Sequence, residues 1–300
     1  MTRRAPPHAF TVDVEEYFHV NAFDGSISRD DWSTLPSRVG RSVDELLEML
    51  ERHDATATFF VLGWLAERHP DIPRRIAAAG HEIASHGWWH RRVVTLTPGQ
   101  FREEVRESKH RLEDITGHPV IGFRAPSFSI LPPVDWAYEI LIEEGYAYDS
   151  SVFPIRRRNY GDPNACPDPH VLERPAGTLI EFPMATRRIA GLRIPGAGGA
   201  YLRLLPFGVT RGTLRQHSRQ GKTAIFYTHP WEIDPGQPRL DVPLLSRLRH
   251  YGKLARTRPR LERLLAEFRF ASIAECHRDL IRTGNSTTAA PVDAPLRVAT

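Results

Sequence analysis

The stretch TFFVLGWLAERHPDIPRRIAAAGHEIAS, residues 58–85, contains a β-rich run, a helical pattern and a second β-rich run. The first run covers residues 58–61 and the second covers residues 82–84. Between them, residues 65–79 carry apolar side chains at helical spacing, and Gly80 marks the end of the helix. Two strands joined by a helix are typical of a parallel sheet. The same order recurs along the chain, so we predict an α/β fold with a mainly parallel sheet.

Eight β-rich runs alternate with six helical patterns. The runs centre on residues 10–12, 58–61, 82–84, 121–123, 146–148, 180–182, 224–227 and 270–273. The helical patterns cover residues 43–52, 65–79, 98–115, 134–144, 209–219 and 244–268. Residues 150–178 interrupt the alternation, because they are rich in proline, arginine and asparagine and show no helical spacing. Long connections of this kind are often functional.

The length and composition are those of an ordinary globular protein. The chain has 300 residues, of which 41% are hydrophobic and 25% are charged, which allows a substantial buried core. We predict one large domain over residues 1–282, although two smaller domains would also fit this length. Residues 283–300 contain mainly serine, threonine, alanine and proline without periodicity, which predicts a disordered tail.

The charge balance does not indicate a nucleic-acid partner. Lysine and arginine number 40 against 36 acidic residues, a net charge of +4, which is small for that role. Basic clusters at residues 156–158 and 247–263 are interpreted as solvated faces, with an anionic polymer or a membrane surface as the alternative. Cys166 and Cys276 indicate no disulfide framework. No apolar segment resembles a leader or a membrane span, which predicts a cytoplasmic protein without an integral membrane segment.

The unusual polar residues follow the predicted strands. In a parallel sheet the carboxyl ends of the strands lie on one face, where active sites are built. We therefore expect side chains that follow different strands to converge. They are Asp13 and Glu15 after the first strand, His86 and His90 after the third, Arg124 after the fourth, Asp149 after the fifth and His229 after the seventh.

The segment SHGWWH, residues 85–90, places His86 and His90 four residues apart. This spacing puts both imidazoles on one side of a turn, a common way to give a metal two nitrogen ligands. The alternative is a chance pair on a solvated helix. The segment beginning at His81 is not a zinc-protease HExxH helix, because the second histidine is replaced by Ser85.

The segment TVDVEE, residues 11–16, ends an apolar run with acidic residues. Alternation along a strand puts Asp13 and Glu15 on the same face and Val14 on the other. One carboxylate could complete a site with two histidines while the other acts as a base. Helix capping or an exposed strand end is the alternative, and Glu16, which faces the opposite way, is assigned to it.

Two further segments carry candidate catalytic groups. In GFRAPSFS, residues 122–129, Arg124 could hold a carboxylate by paired hydrogen bonds, or it could form a surface ion pair. In YTHPWE, residues 227–232, His229 could protonate a leaving group near neutral pH, or it could be a packed histidine at a strand end.

Taken in order, TVDVE, SHGWWH, GFRAPSF, YDSS and YTHPWE resemble the motifs of the polysaccharide deacetylase family, the NodB-homology or carbohydrate esterase family 4 group. The resemblance runs from about residue 8 to about residue 275. The segments VDVEEYFHV, GGAYLRLLP and HPWEID are most similar to the branch found with bacterial exopolysaccharide and exosortase loci. The resemblance implies a distorted (β/α) barrel of seven or eight strands. It also implies that residues 1–282 are a catalytic domain with a family-specific C-terminal helical part.

The resemblance implies a role for each matching residue. Asp13 corresponds to the catalytic base, Arg124 to the arginine that orients it, and His229 to the catalytic acid. His86 and His90 correspond to the metal-binding histidines.

The chain departs from the family pattern in two places. Many members have adjacent aspartates in the first motif, but here Val14 follows the base, so the metal-ligand role is transferred to Glu15. Ser127 replaces a tyrosine of many relatives, and its backbone N–H is the expected oxyanion donor. Asp149 is expected to support His229 from behind.

The resemblance implies a metal-dependent hydrolase, with Zn²⁺ as the expected ion, that removes N-acetyl groups from a polysaccharide. The substrate would be an exopolysaccharide or a peptidoglycan-like polymer of N-acetylhexosamine. Trp88 and Trp231 could form apolar walls against sugar rings, although large aromatic side chains are more often core residues. The alternatives are a hydrolase of small or cyclic amides and a non-catalytic carbohydrate-binding relative. The presence of base, acid and ligand residues together favours an enzyme.

Overall fold

The computed structural model describes residues 5–157, 160–196 and 198–285. Within these residues the chain forms eleven strands and eleven α-helices, besides short 3₁₀ turns. The strands are β1 His8–Val14, β2 Thr58–Val61, β3 Glu82–Ser85, β4 Gly122–Phe123, β5 Tyr148–Asp149, β6 His170–Arg174, β7 Gly177–Glu181, β8 Thr186–Ile189, β9 Leu192–Pro195, β10 Ile225–Thr228 and β11 Phe270–Ala271. The helices are α1 Val39–Arg52, α2 Gly63–Arg68, α3 Asp71–Ala78, α4 Pro98–Thr116, α5 Trp136–Glu143, α6 Ala200–Leu204, α7 Phe207–Arg219, α8 Leu244–Tyr251, α9 Thr257–Glu267, α10 Ile273–Cys276 and α11 Arg278–Asn285.

The larger sheet follows the order β10-β1-β2-β3-β4-β5-β7-β6, and β11 also pairs with β1. Its strands pair in parallel except for β6 with β7. The N–H of Ala185, just after β7, donates to the carbonyl of Ile225 in β10 over 3.2 Å. The sheet therefore curves until its β7 side meets its β10 side. The predicted α/β fold with a mainly parallel sheet is confirmed.

The strand predictions are confirmed, because each of the eight β-rich runs overlaps an observed strand. Strands β6, β8 and β9 were not predicted. Strand β6 lies inside residues 150–178, where its side chains are exposed or only half-buried at the edge of the sheet. An edge strand needs little apolar character, which is why composition did not reveal it.

Two of the predicted helices are broken in the structure. Residues 65–79 form α2 and α3, because Pro70 lacks the N–H of a continuous helix and disfavours helical geometry at His69. Residues 244–268 form α8 and α9, with Lys253 at a φ of 57° between them. Apolar spacing continues across both breaks, so periodicity alone could not locate them.

Strands β1 and β2 are buried along their whole length, as expected in the middle of a parallel sheet. Glu16 follows β1, and its Oε1 accepts the backbone N–H groups of Arg38 at 2.9 Å and Val39 at 3.1 Å. These donors lie at the start of α1, so the interpretation of Glu16 as a helix cap is confirmed. The same contact holds the end of β1 against the first turn of α1.

Helix α11 is the last element of the described part of the chain. Residues 283–285 belong to this helix, and residues 286–300 of the predicted tail lie outside the described residues. No helix in the described part of the chain has both the length and the apolar character needed to cross a bilayer.

Candidate active site

The predicted side chains meet at the carboxyl ends of the parallel strands. Asp13, Glu15, His86, His90 and Arg124 are all buried there. A cavity of about 310 Å³ opens above them. Among the residues that line it are Asp13, Glu15, His90, Ser127, His229 and Trp231. The expected convergence of these strand ends is therefore confirmed.

Glu15, His86 and His90 form one cluster of metal-ligand type. The Nε2 atoms of His86 and His90 lie 3.1 and 2.9 Å from the same Glu15 Oε1. One ligand atom from each of the three residues lies within 4.8 Å of the others. The carbonyl of Arg124 lies 2.7 Å from Nδ1 of His86. It therefore favours a proton on Nδ1 and leaves the Nε2 lone pair facing the cluster.

The electrostatics of Glu15 follow from this cluster. Burial by itself raises the pKa of the Glu15 carboxyl, but the imidazoles of His90, His229 and His86 outweigh burial and hold that pKa well below its ordinary value. The carboxylate is thus kept charged among nitrogen ligands. Such a donor set, two imidazoles and one carboxylate, suits a divalent transition metal.

Asp13 points to the same side of β1 as Glu15 and is held by Arg124. The Nη1 of Arg124 donates to Asp13 Oδ1 over 2.6 Å and to Thr11 Oγ1 over 2.7 Å. The guanidinium also donates to the carbonyl of Ser150 at 3.0 Å and lies 4.1 Å from the ring centroid of Phe60. Arg124 is fully buried, so the surface ion pair is excluded and Asp13 has a fixed partner.

His229 faces Asp13 across the cavity. Its Nε2 lies 3.9 Å from Asp13 Oδ2, and its Nδ1 lies 2.7 Å from Glu232 Oε1. Burial lowers the pKa of His229, but the carboxylates of Glu15, Glu232 and Asp13 outweigh it and raise that pKa to about 9. A protonated imidazole with Nδ1 engaged by Glu232 presents Nε2–H to the cavity.

The predicted support of His229 by Asp149 is corrected, because Glu232 takes that place. Asp149 accepts hydrogen bonds from the N–H of Ser151 at 3.1 Å and from its hydroxyl at 2.6 Å. It lies against Glu181, and burial raises the pKa of both carboxyls. The sequence signal for Glu232 was available, because an acid three residues after a turn-initiating position caps that turn.

The three predicted substrate contacts have different outcomes. Ser127 and Trp231 line the cavity, whereas Trp88 is not among the lining residues. Trp88 packs on Gly63, where an added Cβ would lie 2.3 Å from Trp88 Cε3. Trp88 thus makes a structural contact with α2, and its sugar contact stays a prediction. Ser127 has a φ of 55°, an uncommon conformation for a residue with a side chain, and such conformations cluster at functional sites.

Two family profiles match separate parts of the chain. The sequence profile of the family described as polysaccharide deacetylase matches residues 29–139, and His86, His90 and Arg124 lie within that match. Residues 29–139 therefore match a polysaccharide deacetylase domain. A second profile, for a domain of unknown function named DUF3473, matches residues 150–278.

Curated relatives that match part of this chain are named for the substrates of their reactions. A peptidoglycan deacetylase of Helicobacter pylori is 27% identical over 147 residues, which are 48% of this chain and 48% of the relative. A peptidoglycan-N-acetylglucosamine deacetylase of Bacillus cereus is 32% identical over 96 residues, 32% of this chain and 35% of the relative. The chain spans less than half the length of these curated relatives.

The fold of this chain has a counterpart among solved structures. A Mycobacterium smegmatis protein assigned as a polysaccharide deacetylase superposes with a TM-score of 0.59 at 20% identity, covering 99% of this chain and 97% of that chain. The likeness extends over the whole sheet and agrees with the curved, barrel-like arrangement of its parallel strands.

The DUF3473 segment, residues 150–278, supplies a residue that sequence reasoning missed. Arg203 in α6 is buried, and its Nε donates to Glu232 Oε2 over 2.9 Å. Its Nη1 donates to the carbonyls of Arg249 at 2.7 Å and Gly252 at 2.8 Å. Arg203 stands in GGAYLRLLP, which was recognised as a family-like segment without any role for the arginine. Nothing in its local pattern reveals a contact with Glu232, 29 positions away.

Proposed function

We propose that the chain is a metal-dependent N-deacetylase that acts on a polysaccharide of N-acetylhexosamine. The observation that carries the proposal is the meeting of three groups at one cavity. These are a carboxylate held by a buried arginine, a cluster of two histidines and a carboxylate, and a histidine paired with a buried glutamate.

The residues present fit a bound divalent metal. Two imidazole Nε2 atoms and one carboxylate oxygen face one another within 4.8 Å, and the resemblance of the motifs implies the same three residues as ligands. We propose Zn²⁺, because two imidazoles and one carboxylate form a donor set that this ion would accept, with Glu15, His86 and His90 as its ligands. When bound, the ion polarises the acetamide carbonyl and makes water more acidic.

The chain's own residues supply the proton transfers. Asp13 takes a proton from the attacking water, and Arg124 fixes the carboxylate for that step. The C–N bond of the acetamide breaks as His229 delivers the Nε2 proton to the departing sugar nitrogen, so that acetate and a free amine are formed. The backbone N–H at Ser127 is proposed to stabilise the oxyanion that develops on the acetyl group.

The substrate class is supported by the relatives named above and by the walls of the cavity. Trp231 and Tyr160 line it and offer apolar faces of the kind that stack on sugar rings. An exopolysaccharide substrate stays a prediction from the resemblance of VDVEEYFHV and HPWEID. The cytoplasmic location and the catalytic domain over residues 1–282 also stay predictions.

The proposal is tested by measuring acetate release from N-acetylglucosamine oligomers after loading with Zn²⁺. Asp13→Asn is expected to lose activity by about 100-fold or more, in the range of general-base catalysis, while keeping its metal. His86→Ala is expected to lose both metal and activity.

Glu16→Gln is the matched control, because Glu16 is a buried carboxylate of the same segment that caps α1 and does not contact the cluster. It is expected to keep metal and activity. Full activity of Asp13→Asn would exclude the mechanism. Turnover of cyclic amides without turnover of the oligomers would instead assign the protein as a small-amide hydrolase, and metal binding without either turnover would assign it as a non-catalytic relative.

A further inference from the structure

Helix α8 presents an exposed apolar surface beside the cavity. Leu244, Leu245 and Leu248 are 60%, 81% and 59% exposed. Single exposed leucines are ordinary on a protein surface, but these three lie within one turn of the same helix, where residues four apart share a face. We call them the leucine ridge. The ridge differs from the rest of α8, since His250 and Tyr251 in its last turn are buried.

The leucine ridge lies in a basic stretch of the chain. Five exposed basic side chains lie within the same stretch of chain, Arg239, Arg247, Arg249, Lys253 and Arg256. None of them forms an ion pair with a carboxylate among residues 5–157, 160–196 and 198–285. Asp241 is the single acidic residue between positions 239 and 256. The surface thus combines apolar side chains with uncompensated cations.

Helix α8, which carries the leucine ridge, also borders the cavity. Ser246 and Arg249 of α8 line the cavity. In the sequence, Ser246 lies between Leu245 and Leu248 of the leucine ridge, and Arg249 directly follows Leu248. A surface that accepts the ridge would therefore lie beside the cavity. Arg203 fixes the end of α8, because it donates to the carbonyls of Arg249 and Gly252.

We propose that the leucine ridge and its surrounding cations dock on an anionic lipid bilayer, so that the cavity lies beside the lipid headgroups. Leucines that enter the interface and basic residues that meet anionic headgroups are the two components of peripheral membrane binding. A second copy of the chain is disfavoured as the occupant, because it would bring five like charges against five. A hydrophilic anionic polymer would use the cations and leave the leucines exposed.

The test is sedimentation of the full chain with vesicles of phosphatidylcholine, with and without phosphatidylglycerol. The protein is expected to bind the vesicles that contain phosphatidylglycerol, and binding is expected to fall as salt rises. Leu245→Ser is expected to weaken binding by about tenfold, because an exposed leucine loses its burial in the interface. Arg247→Gln is expected to weaken it by about fivefold, the effect of one cation near an anionic surface.

Leu192→Ser is the matched control, since Leu192 is 71% exposed in the β8–β9 hairpin, outside the ridge. It is expected to bind vesicles like the unchanged protein. Equal binding to both vesicle types, or equal losses in Leu192→Ser and Leu245→Ser, would overturn the proposal. So would a concentration-dependent dimer that Leu245→Ser abolishes. Vesicle binding is measured without substrate, so its failure leaves the deacetylase proposal untouched.

Discussion

At the scale of single residues, His229, Glu232 and Arg203 form a hydrogen-bonded row whose two ends, His229 and Arg203, line the cavity. The contacts are 2.7 Å between His229 and Glu232 and 2.9 Å between Glu232 and Arg203. Burial by itself raises the pKa of Glu232, but its hydrogen bonds and charge interactions with His229 and Arg203 lower that pKa. The glutamate therefore stays charged, and its charge favours the protonated form of His229.

This row predicts the pH dependence of the reaction. Activity should fall on the alkaline side as pH rises through the pKa of His229, raised to about 9, because only the protonated imidazole can act as the acid. Glu232→Gln removes a negative charge that raises this pKa. The alkaline limb of the pH profile of activity should therefore move to lower pH in this variant. Its kcat should also fall by about 10- to 100-fold, as for other residues that orient a catalytic group. The measurement is kcat/KM against pH.

Asp149→Asn is the control for this prediction, because Asp149 contacts Ser151 and Glu181. Its alkaline limb should stay where it is in the unchanged protein. If Asp149→Asn moved the limb and Glu232→Gln left it in place, the assignment of Glu232 as the partner of His229 would be wrong.

At the scale of elements, helix α2 supports the loop that carries His86 and His90. The N–H groups of Gly63 and Trp64, in its first turn, donate to the carbonyls of Gly87 at 2.9 Å and Trp88 at 3.2 Å. The indole of Trp88 covers Gly63. The loop between His86 and His90 is thus fastened to a helix on the neighbouring βα unit, which fixes the distance between the two imidazoles.

Gly63→Ala should disturb this support. The added methyl group would lie 2.3 Å from Trp88 Cε3, so the indole and the loop must move. We expect a loss of about 1–3 kcal/mol in the free energy of unfolding, as for other overpacked sites, together with weaker Zn²⁺ binding. Urea denaturation and a metal titration measure the two effects.

Gly99→Ala is the matched control, because Gly99 lies in the first turn of α4 and an added Cβ has nothing within 4 Å. Alanine is also the better helix former, so this variant should be as stable as the unchanged protein or slightly more stable. A Gly63→Ala protein with unaltered metal affinity would show that Trp88 does not position the loop.

The elements also show how far sequence reasoning reaches. Every predicted strand was found, because a β-rich run between helical patterns depends only on residues that are close in sequence. The breaks at Pro70 and Lys253 were missed because the apolar spacing continues through them. Strands β6, β8 and β9 were missed because edge and hairpin strands carry few buried side chains.

At the scale of the whole molecule, the cluster of Glu15, His86 and His90 joins distant parts of the chain. Glu15 follows β1, and the histidines follow β3, with β2 between them in the sheet. A ligand that binds only the folded arrangement stabilises it by mass action. Zn²⁺ at about 100 times its dissociation constant should therefore add about 2.7 kcal/mol to the free energy of unfolding.

This gain is measured by thermal or urea unfolding with Zn²⁺ and with a chelator. It should disappear in Glu15→Gln and persist in Asp13→Asn, because Asp13 pairs with Arg124 and lies outside the cluster. Equal stabilisation of Glu15→Gln would show that the ion binds elsewhere. Equal loss in Asp13→Asn would make Asp13 a metal ligand.

The sequence by itself determined the order of the βα units and the placement of Asp13, Glu15, His86, His90, Arg124 and His229 at strand ends. Both follow from local periodicity and from the geometry of parallel sheets. The tertiary structure decided which of these side chains touch, namely Glu15 with both histidines, Asp13 with Arg124, and His229 with Glu232 in place of Asp149. It also placed Trp88 on Gly63 and buried Arg203 behind Glu232. The physical reason is that a side-chain contact depends on how separate elements are spaced and rotated, which no local pattern of residues encodes.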